Sequence, residues 1–322
     1  MIPRGSAWSA LILGALREIL RQPITLILTG GMAVGILLLP AVTTQTLGET
    51  SAVVRDGALA LYLFFGVLLA GLSACHGMTG DLTRGAAATV LSKPVSRPAF
   101  LLSRFAALVI VLLIFSIIAT LETLVTVRVA QDAFQLEWKL WVPAILALPI
   151  GWTAAAVSNY LTRRPFPSDA FFAVLAAALA ALLLALRLPP PVTDTAAAPP
   201  LYLPLLPVCA LLALALWVMG GIALALSTRL PPVATVTLCS VIFVLGLMSD
   251  YLFGRHADAS ILSATLHAAL PNWQHFWLAD ALHIDRAVPW RYVASVSGYA
   301  ALYITGMLSI AITLFQRREV SA

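Results

Sequence analysis

Long apolar runs alternate with short polar connections along the whole chain. Each run is close to the roughly 20 residues that a helix needs to cross about 30 Å of hydrocarbon, so each predicts a membrane-spanning helix. Pro143 and Pro149 interrupt one run, and a six-span arrangement in which Leu140–Leu186 is re-entrant or interfacial stays open. The predicted spans are Ile24–Val42, Gly57–Gly77, Leu101–Arg128, Leu140–Leu161, Ala170–Leu186, Leu201–Ser227, Val233–Phe253 and Tyr292–Phe315.

Residues 1–22 show a different pattern, with apolar residues on one side of a predicted helix and polar residues such as Arg17 and Glu18 on the other. This pattern is typical of an amphipathic helix that lies in the membrane interface, and Pro23 ends it. The apolar positions are Trp8, Leu11, Ile12, Ala15, Ile19 and Leu20.

Composition makes the bilayer the solvent for this chain. Of its 322 residues, 61% are hydrophobic and 10% are charged, whereas about a quarter of the residues in an ordinary soluble domain are charged. The predicted fold class is therefore an all-α integral membrane protein with about eight transmembrane helices in a single transmembrane domain, 1–322. The net charge of +5 does not indicate nucleic-acid binding, because the basic residues lie in short segments between apolar runs.

The basic residues also predict the orientation, since cytoplasmic connections are enriched in Lys and Arg. With both termini inside, the inner segments hold Arg4, Arg17, Arg21, Arg84, Lys93, Arg97, Arg104, Arg163, Arg164, Arg229, Arg317 and Arg318. The outer segments then hold Arg55, Arg128, Lys139, Arg187, Arg255, Arg286 and Arg291. We expect a multi-pass protein of the cytoplasmic (inner) membrane with both termini in the cytoplasm.

The inner connection at residues 78–100 is one of the two longest polar segments. Asp81 lies near a predicted helix start, Leu82–Leu91 can form a short helix, and Pro94 stops it. Such a helix at the membrane surface is either a docking element for another protein or a solvated connector.

This loop resembles that of the ABC-2 family of ABC-transporter permeases, in which an acidic residue, a glycine, a Leu-Leu-Ser-x-Pro-Val-Ser-Arg-like stretch and a basic residue follow in order. The matching positions here are Asp81, Gly85, Leu91-Ser92-Lys93-Pro94-Val95-Ser96-Arg97 and Arg104. The amphipathic N-terminal segment, the stretch from Met219 to Pro231 and the ending from Phe315 to Glu319 are also similar to elements of that family.

The resemblance implies a permease subunit that exports a hydrophobic or amphipathic substrate. It implies a six-span core with Leu140–Leu186 inserted, a second permease copy or a paralogue as partner in membrane lipid, and two copies of an ABC ATPase subunit. The residues it implies for ATPase coupling are Asp81, Arg84, Gly85, Leu91, Ser92, Pro94, Val95, Ser96 and Arg97. The chain contains no G-x-x-x-x-G-K-[ST] motif, so we expect no enzyme activity or cofactor of its own, with ATP and Mg on the partner subunit.

Glu122 is the clearest charged residue inside a predicted span. A charge at mid-bilayer costs about 2.5 to 3.5 kcal/mol on insertion scales, so Glu122 is either a substrate or dimer contact, or a carboxyl paired internally or near the outer headgroups. Small residues in the second span permit close helix approach, either within the chain or at a dimer seam. They are Gly66, Ala70, Gly71, Ala74 and Gly77.

The outer connection from Gly254 to Arg291 contains several His and Asp residues, but their spacing matches no metal-binding pattern, and we expect no metal site. Trp273, Phe276, Trp277 and Ala281 instead fall on one face of a predicted helix, which favours an interfacial helix at the outer headgroups.

Two other function classes stay open. A secondary transporter or channel usually carries more charge inside its spans or Gly- and Pro-broken inverted repeats. A membrane-embedded enzyme would need a catalytic motif, and the chain shows no HExxH, no G-x-S-x-G and no paired DxxD carboxylates.

Overall fold

The structure, a computed structural model, describes residues 4–43, 50–83, 96–130, 136–189, 201–256, 260–284 and 287–317. These residues form helices and short connections, with no strand among them. Short 3-10 turns lie at Gly254–His256, Trp273–His275 and Ala279–Ile284. The α-helices are α1 (Arg4–Leu20), α2 (Pro23–Val42), α3 (Thr50–Thr83), α4 (Arg97–Val129), α5 (Trp138–Thr162), α6 (Phe166–Arg187), α7 (Leu205–Ser227), α8 (Pro232–Leu247), α9 (Ser249–Leu252), α10 (Ile261–Ala269) and α11 (Trp290–Gln316).

Seven of the described helices, α2 to α7 and α11, are long and apolar enough to cross a membrane. The remaining predicted span, Val233–Phe253, is not one straight helix. It consists of α8 and a second helical segment that starts at Ser249 and bends away by 67°. The prediction of an all-helical, multi-pass membrane protein is thus confirmed.

Proline residues mark several helix starts. Pro23, Pro98 and Pro232 lie in the first turns of α2, α4 and α8, where the missing N–H has no helical partner to lose. Inside α5 the helix runs through both Pro143 and Pro149, so the apolar run that they interrupt forms one continuous helix. Interior prolines are tolerated in membrane helices when neighbouring groups satisfy the freed carbonyls.

Helix α4 is the centre of the bundle and packs against α1, α2, α3, α6 and α7. Helix α7 is the most enclosed span and lies between α3, α4, α8 and α11. The hairpin of α5 and α6 lies at the side of the bundle, where mainly α6 packs against α2 and α4. Much of the outer surface of this hairpin is exposed, for example at Leu146 and Ile150.

The bundle has two ends, which we call the α1 face and the opposite face. At the α1 face the helix ends are joined by two arginines: Arg97 donates to the carbonyl of Gln316 at 2.8 Å, and Arg229 donates to the carbonyl of Leu314 at 2.8 Å. The opposite face carries the end of α4, the start of α5 and the turns around Trp273.

Candidate functional site

Most of the predicted coupling segment lies outside the described residues. This holds for Arg84, Gly85, Leu91, Ser92, Pro94 and Val95. Asp81 lies in the last turns of α3, so helix continues past the end of the predicted span at Gly77, but the position of the Asp81 side chain is outside the described part. The structure therefore describes the two helix ends that enter the segment.

The start of α4 is held firmly at the α1 face. The hydroxyl of Ser96 accepts a hydrogen bond from the backbone N–H of Ala99 at 3.3 Å, which caps the helix. Arg97 donates to the carbonyl of Gln316 and also to that of Phe315 at 3.4 Å. The rings of Phe100 and Phe315 stack with centroids 6.0 Å apart. Of the predicted coupling residues, Ser96 thus caps α4 and Arg97 joins α4 to the end of α11.

The N-terminal helix is attached to the same region. Arg104 forms an ion pair with Glu18 at 2.5 Å and lies over the ring of Phe100, 5.5 Å from its centre. The apolar side of α1 is buried at Ala15, Ile19 and Leu20. The helix is amphipathic, as the sequence pattern predicts, and rests on α4 through both apolar and charged contacts.

The two helices that flank residues 84–95 are the longest of the described chain. Helix α3 has 34 residues and α4 has 33, so at about 1.5 Å per residue each is roughly 50 Å long. The hydrocarbon core is about 30 Å thick. Each helix is therefore long enough to extend beyond the hydrocarbon while remaining continuous with the centre of the bundle.

Glu122 is buried inside the bundle, with 2% of its surface exposed. Neither oxygen of its carboxyl group has a hydrogen-bond partner among the described residues. The hydroxyl of Thr126, one helical turn further along α4, is also buried and lacks a described partner. Among the described residues Glu122 has no internal partner, and its role as a substrate or dimer contact stays a prediction.

The Glu122 side chain borders a small enclosed space that we call the carboxyl cavity. Its other walls are apolar and come from α2, α4, α5 and α6, including Leu37, Val125, Ala144, Leu148, Ala177 and Ala181. The cavity is too narrow to hold a water molecule. An ionised carboxylate in this arrangement would have neither a protein partner nor water, which costs several kcal/mol.

A larger depression, which we call the hairpin groove, lies between α5 and α6. It has a volume of about 720 Å³ and is lined by Leu146, Ala147, Ile150, Ala154, Ala176 and Ala177, among others. Its polar end is at the α1 face, where the hydroxyl of Ser158 donates to Asp169 at 2.9 Å. Ala177 borders both the groove and the carboxyl cavity.

The small residues of α3 pack inside the chain. Gly66, Ala70, Gly71 and Ala74 are all buried, and a Cβ at Gly66 would overlap the side chain of Leu216 on α7. Their burial favours the alternative of packing within the chain, and their role in a dimer seam or a substrate pathway stays a prediction.

Comparison of the chain with models of protein families and with curated proteins gives no match. The site is therefore interpreted from its own geometry.

The predicted helix over Trp273 to Ala281 is wrong. Trp273 and Phe276 lie in and after a 3-10 turn, they are buried, and Trp273 packs against Phe243 of α8. The indole fits beside Gly246, where a side chain would collide with it. Trp277 is only partly buried. The exposed apolar helix of this outer connection is α10 instead, with Ile261 and Leu262 exposed.

A hydrogen-bonded cluster at the bend between α8 and α9 was not predicted. Ser249 contacts Nδ1 of His267 at 3.1 Å, Nε2 of His267 lies 3.8 Å from Asp250, and Asn272 donates to Asp250 at 2.8 Å. Ser, His and Asp together suggest a nucleophilic triad. However, Ser249 is fully buried and the distance from His267 to Asp250 is too long for a hydrogen bond. The cluster therefore stabilises the bend rather than performing acyl transfer.

Arg128 is the other polar contact that the sequence does not reveal. Its side chain is buried at the end of α4 and pairs with Glu137 at 3.2 Å. It also donates to the carbonyl of Pro189 at 3.0 Å and contacts the carbonyl of Ala185. One guanidinium thus ties α4 to the start of α5 and the end of α6, and caps the carbonyls that end α6.

Proposed function

We propose that the chain is the permease subunit of an ABC transporter of the ABC-2 kind. In this proposal it exports a hydrophobic or amphipathic substrate, and a separate ATPase subunit, present in two copies, hydrolyses ATP with Mg. A second permease copy or a paralogue completes the transporter in the membrane. The α1 face is the cytoplasmic one, as the excess of basic residues on the inner connections favours.

The observation that supports this function best is the pair of long helices that enter residues 84–95. A push on this segment acts directly on α3 and α4, and α4 is packed against most of the other helices. Because a continuous helix moves as a rigid rod, a displacement at the α1 face is carried to the centre of the bundle.

The contacts at the start of α4 support the same role. Arg97 joins α4 to the end of α11, and Arg104 joins α4 to α1 through Glu18. The helix ends at the α1 face therefore form one connected surface beside the segment that the ATPase would contact. In this proposal Asp81 and Arg84 make polar contacts with the ATPase, while Arg97 holds the segment against the bundle.

Copurification tests the proposal. The chain is extracted from its native membrane in a mild detergent and isolated through an affinity tag, and we expect an ATPase with a P-loop to copurify in comparable amount. Charge reversal by Asp81→Lys or Arg84→Glu should reduce copurification or transport-linked ATP hydrolysis without preventing membrane insertion. Lys139→Glu is the matched control, since Lys139 is exposed at the opposite face. Absence of any ATPase, or equal loss in all three variants, contradicts the proposal.

One observation favours a second class. The buried, unpartnered carboxyl of Glu122 is the kind of intramembrane group that secondary transporters use to bind protons or cations. This alternative predicts transport by the purified chain alone in liposomes, driven by an ion gradient and independent of ATP. The ABC proposal predicts no transport under those conditions.

A further inference from the structure

The groups around the carboxyl of Glu122 favour one kind of ligand. Every other described side chain that borders the carboxyl cavity is apolar. A hard divalent metal ion needs several oxygen ligands, and the cavity offers only one carboxyl group. A single positively charged nitrogen needs only one carboxylate as its charged partner. The buried hydroxyl of Thr126, one turn away on α4, has no described partner but is not among the described residues that line the cavity.

The surroundings of the cavity indicate what the rest of the ligand is. The hairpin groove is open and almost entirely apolar, and its exposed residues Leu146 and Ile150 face the surface of the bundle. An alkyl chain can occupy such a groove from the lipid. Ala177 borders both spaces, so a small side chain forms part of the wall between groove and cavity.

The hairpin of α5 and α6 is suited to open at this place. The two helices approach closely where Ala173 lies 3.1 Å from the position of a Cβ at Gly151, so methyl groups and a glycine make up the contact. Helix α5 has few buried residues, namely Leu140, Ala144, Leu148 and Ala155. A small separation of α5 from α6 joins the groove to the carboxyl cavity, and of the larger side chains described around the cavity only Leu148 belongs to α5.

We propose that this chain binds a lipophilic amine with its alkyl chain in the hairpin groove and its ammonium group on the carboxyl of Glu122. The ligand enters sideways from the lipid between α5 and α6. Binding requires only this chain. Transport of such an amine as a substrate rests on the proposed function, and a lipophilic amine is then the substrate class of the transporter.

A photolabelling experiment on the purified chain in nanodiscs of zwitterionic lipid tests the binding. The probe is a twelve-carbon alkylamine that carries a diazirine on its chain, and the matched neutral probe is the alcohol of the same length. We expect the amine to label residues of α5 and α6 at concentrations about tenfold or more below those the alcohol needs, because a charge-assisted hydrogen bond is gained. Labelled positions are identified by mass spectrometry.

Two variants separate this site from the polar end of the groove. Glu122→Gln should remove the preference for the amine and leave labelling by the alcohol unchanged. Asp169→Asn, at the surface end of the groove, should keep the preference. A third variant, Ala177→Leu, places a larger side chain between groove and cavity. It should weaken labelling by the amine more than by the alcohol.

The outcomes that overturn the proposal are equally specific. They are equal labelling of the wild-type chain by amine and alcohol, labelling away from α5 and α6, or a preference lost in Asp169→Asn but kept in Glu122→Gln. The wild-type comparison needs no variant, so it stands even if a substitution impairs folding. Because no ATPase is present, these results are independent of the copurification experiment: either proposal can fail while the other holds.

Discussion

The guanidinium of Arg128 lies against the carboxylate of Glu137, with nitrogen to oxygen distances of 3.2 and 3.3 Å. The arginine side chain is fully buried, whereas 21% of the glutamate side chain is exposed. The pair lies where three helix ends meet, so it links the hairpin of α5 and α6 to the central helix.

Arg128→Ala should lower the free energy of unfolding by about 3 to 5 kcal/mol, because it leaves Glu137 and the carbonyls at the end of α6 without their partner. Unfolding by SDS in mixed micelles measures the change. Arg187→Ala is the matched control: Arg187 lies in the last turn of α6 but is exposed, and we expect a change within about 0.5 kcal/mol. Equal effects in both variants would show that the buried contacts of Arg128 contribute nothing.

Gly66→Ala should destabilise the bundle by about 1 to 3 kcal/mol, because the added methyl group overlaps the side chain of Leu216. Gly66→Ala combined with Leu216→Ala should cost less than the sum of the two single changes, because the space left at residue 216 accommodates the added methyl group. Gly71→Ala is the control on the same helix, where no atom lies within 4 Å of the added Cβ. This variant should be neutral or more stable by up to about 1 kcal/mol. The same micelle unfolding assay applies, and a neutral Gly66→Ala contradicts the close approach of α3 and α7.

Glu18→Arg should weaken the attachment of α1, because it places two like charges together at Arg104. The double exchange Glu18→Arg with Arg104→Glu should restore most of the stability. Both side chains are partly exposed, so we expect a coupling energy of only about 0.5 to 1 kcal/mol in a double-mutant cycle. Arg17→Glu, an exposed position on the same helix, should show no coupling to Arg104. A coupling of zero for both pairs would mean that the ion pair does not hold α1.

The two ends of α11 provide a test of orientation. Gln316 is exposed at the α1 face and Ala287 is exposed at the opposite face, whereas Cys75, Cys209 and Cys239 are buried and give little background. In intact cells, a membrane-impermeant maleimide should label Ala287→Cys and should label Gln316→Cys only after permeabilisation. The reverse pattern would place the α1 face outside and remove the basis for an ATPase at residues 84–95.

The lengths of the apolar runs predicted the long helices well, because one strong constraint, the thickness of the hydrocarbon, sets the length of a membrane helix. The span predicted to end at Val42 ends there, and α7 ends at Ser227 as expected. Pro149 did not predict the end of a helix, because a membrane helix tolerates an interior proline when neighbouring groups satisfy the freed carbonyls. Its effect depends on neighbouring helices, which a single sequence does not show.

The turns around Trp273 and the surroundings of Glu122 were harder to predict, because they also depend on neighbouring helices. Aromatic spacing at Trp273 and Phe276 fits an interfacial helix, but the pocket beside Gly246 buries Trp273 and leaves the backbone in a 3-10 turn. For Glu122, the sequence indicated a costly charge inside a span. No described group pairs with Glu122, because the walls around it come from four different helices and are apolar. Only the fold shows that these helices meet there.

The bend after Leu247 has a consequence for the surrounding bilayer. Helix α8 has 16 residues, or about 24 Å at about 1.5 Å per residue, which is shorter than ordinary hydrocarbon. A bilayer that meets α8 alone must thin to match it, whereas one beside α3 need not. Where a bilayer thins in this way, water and headgroups come nearer to its middle.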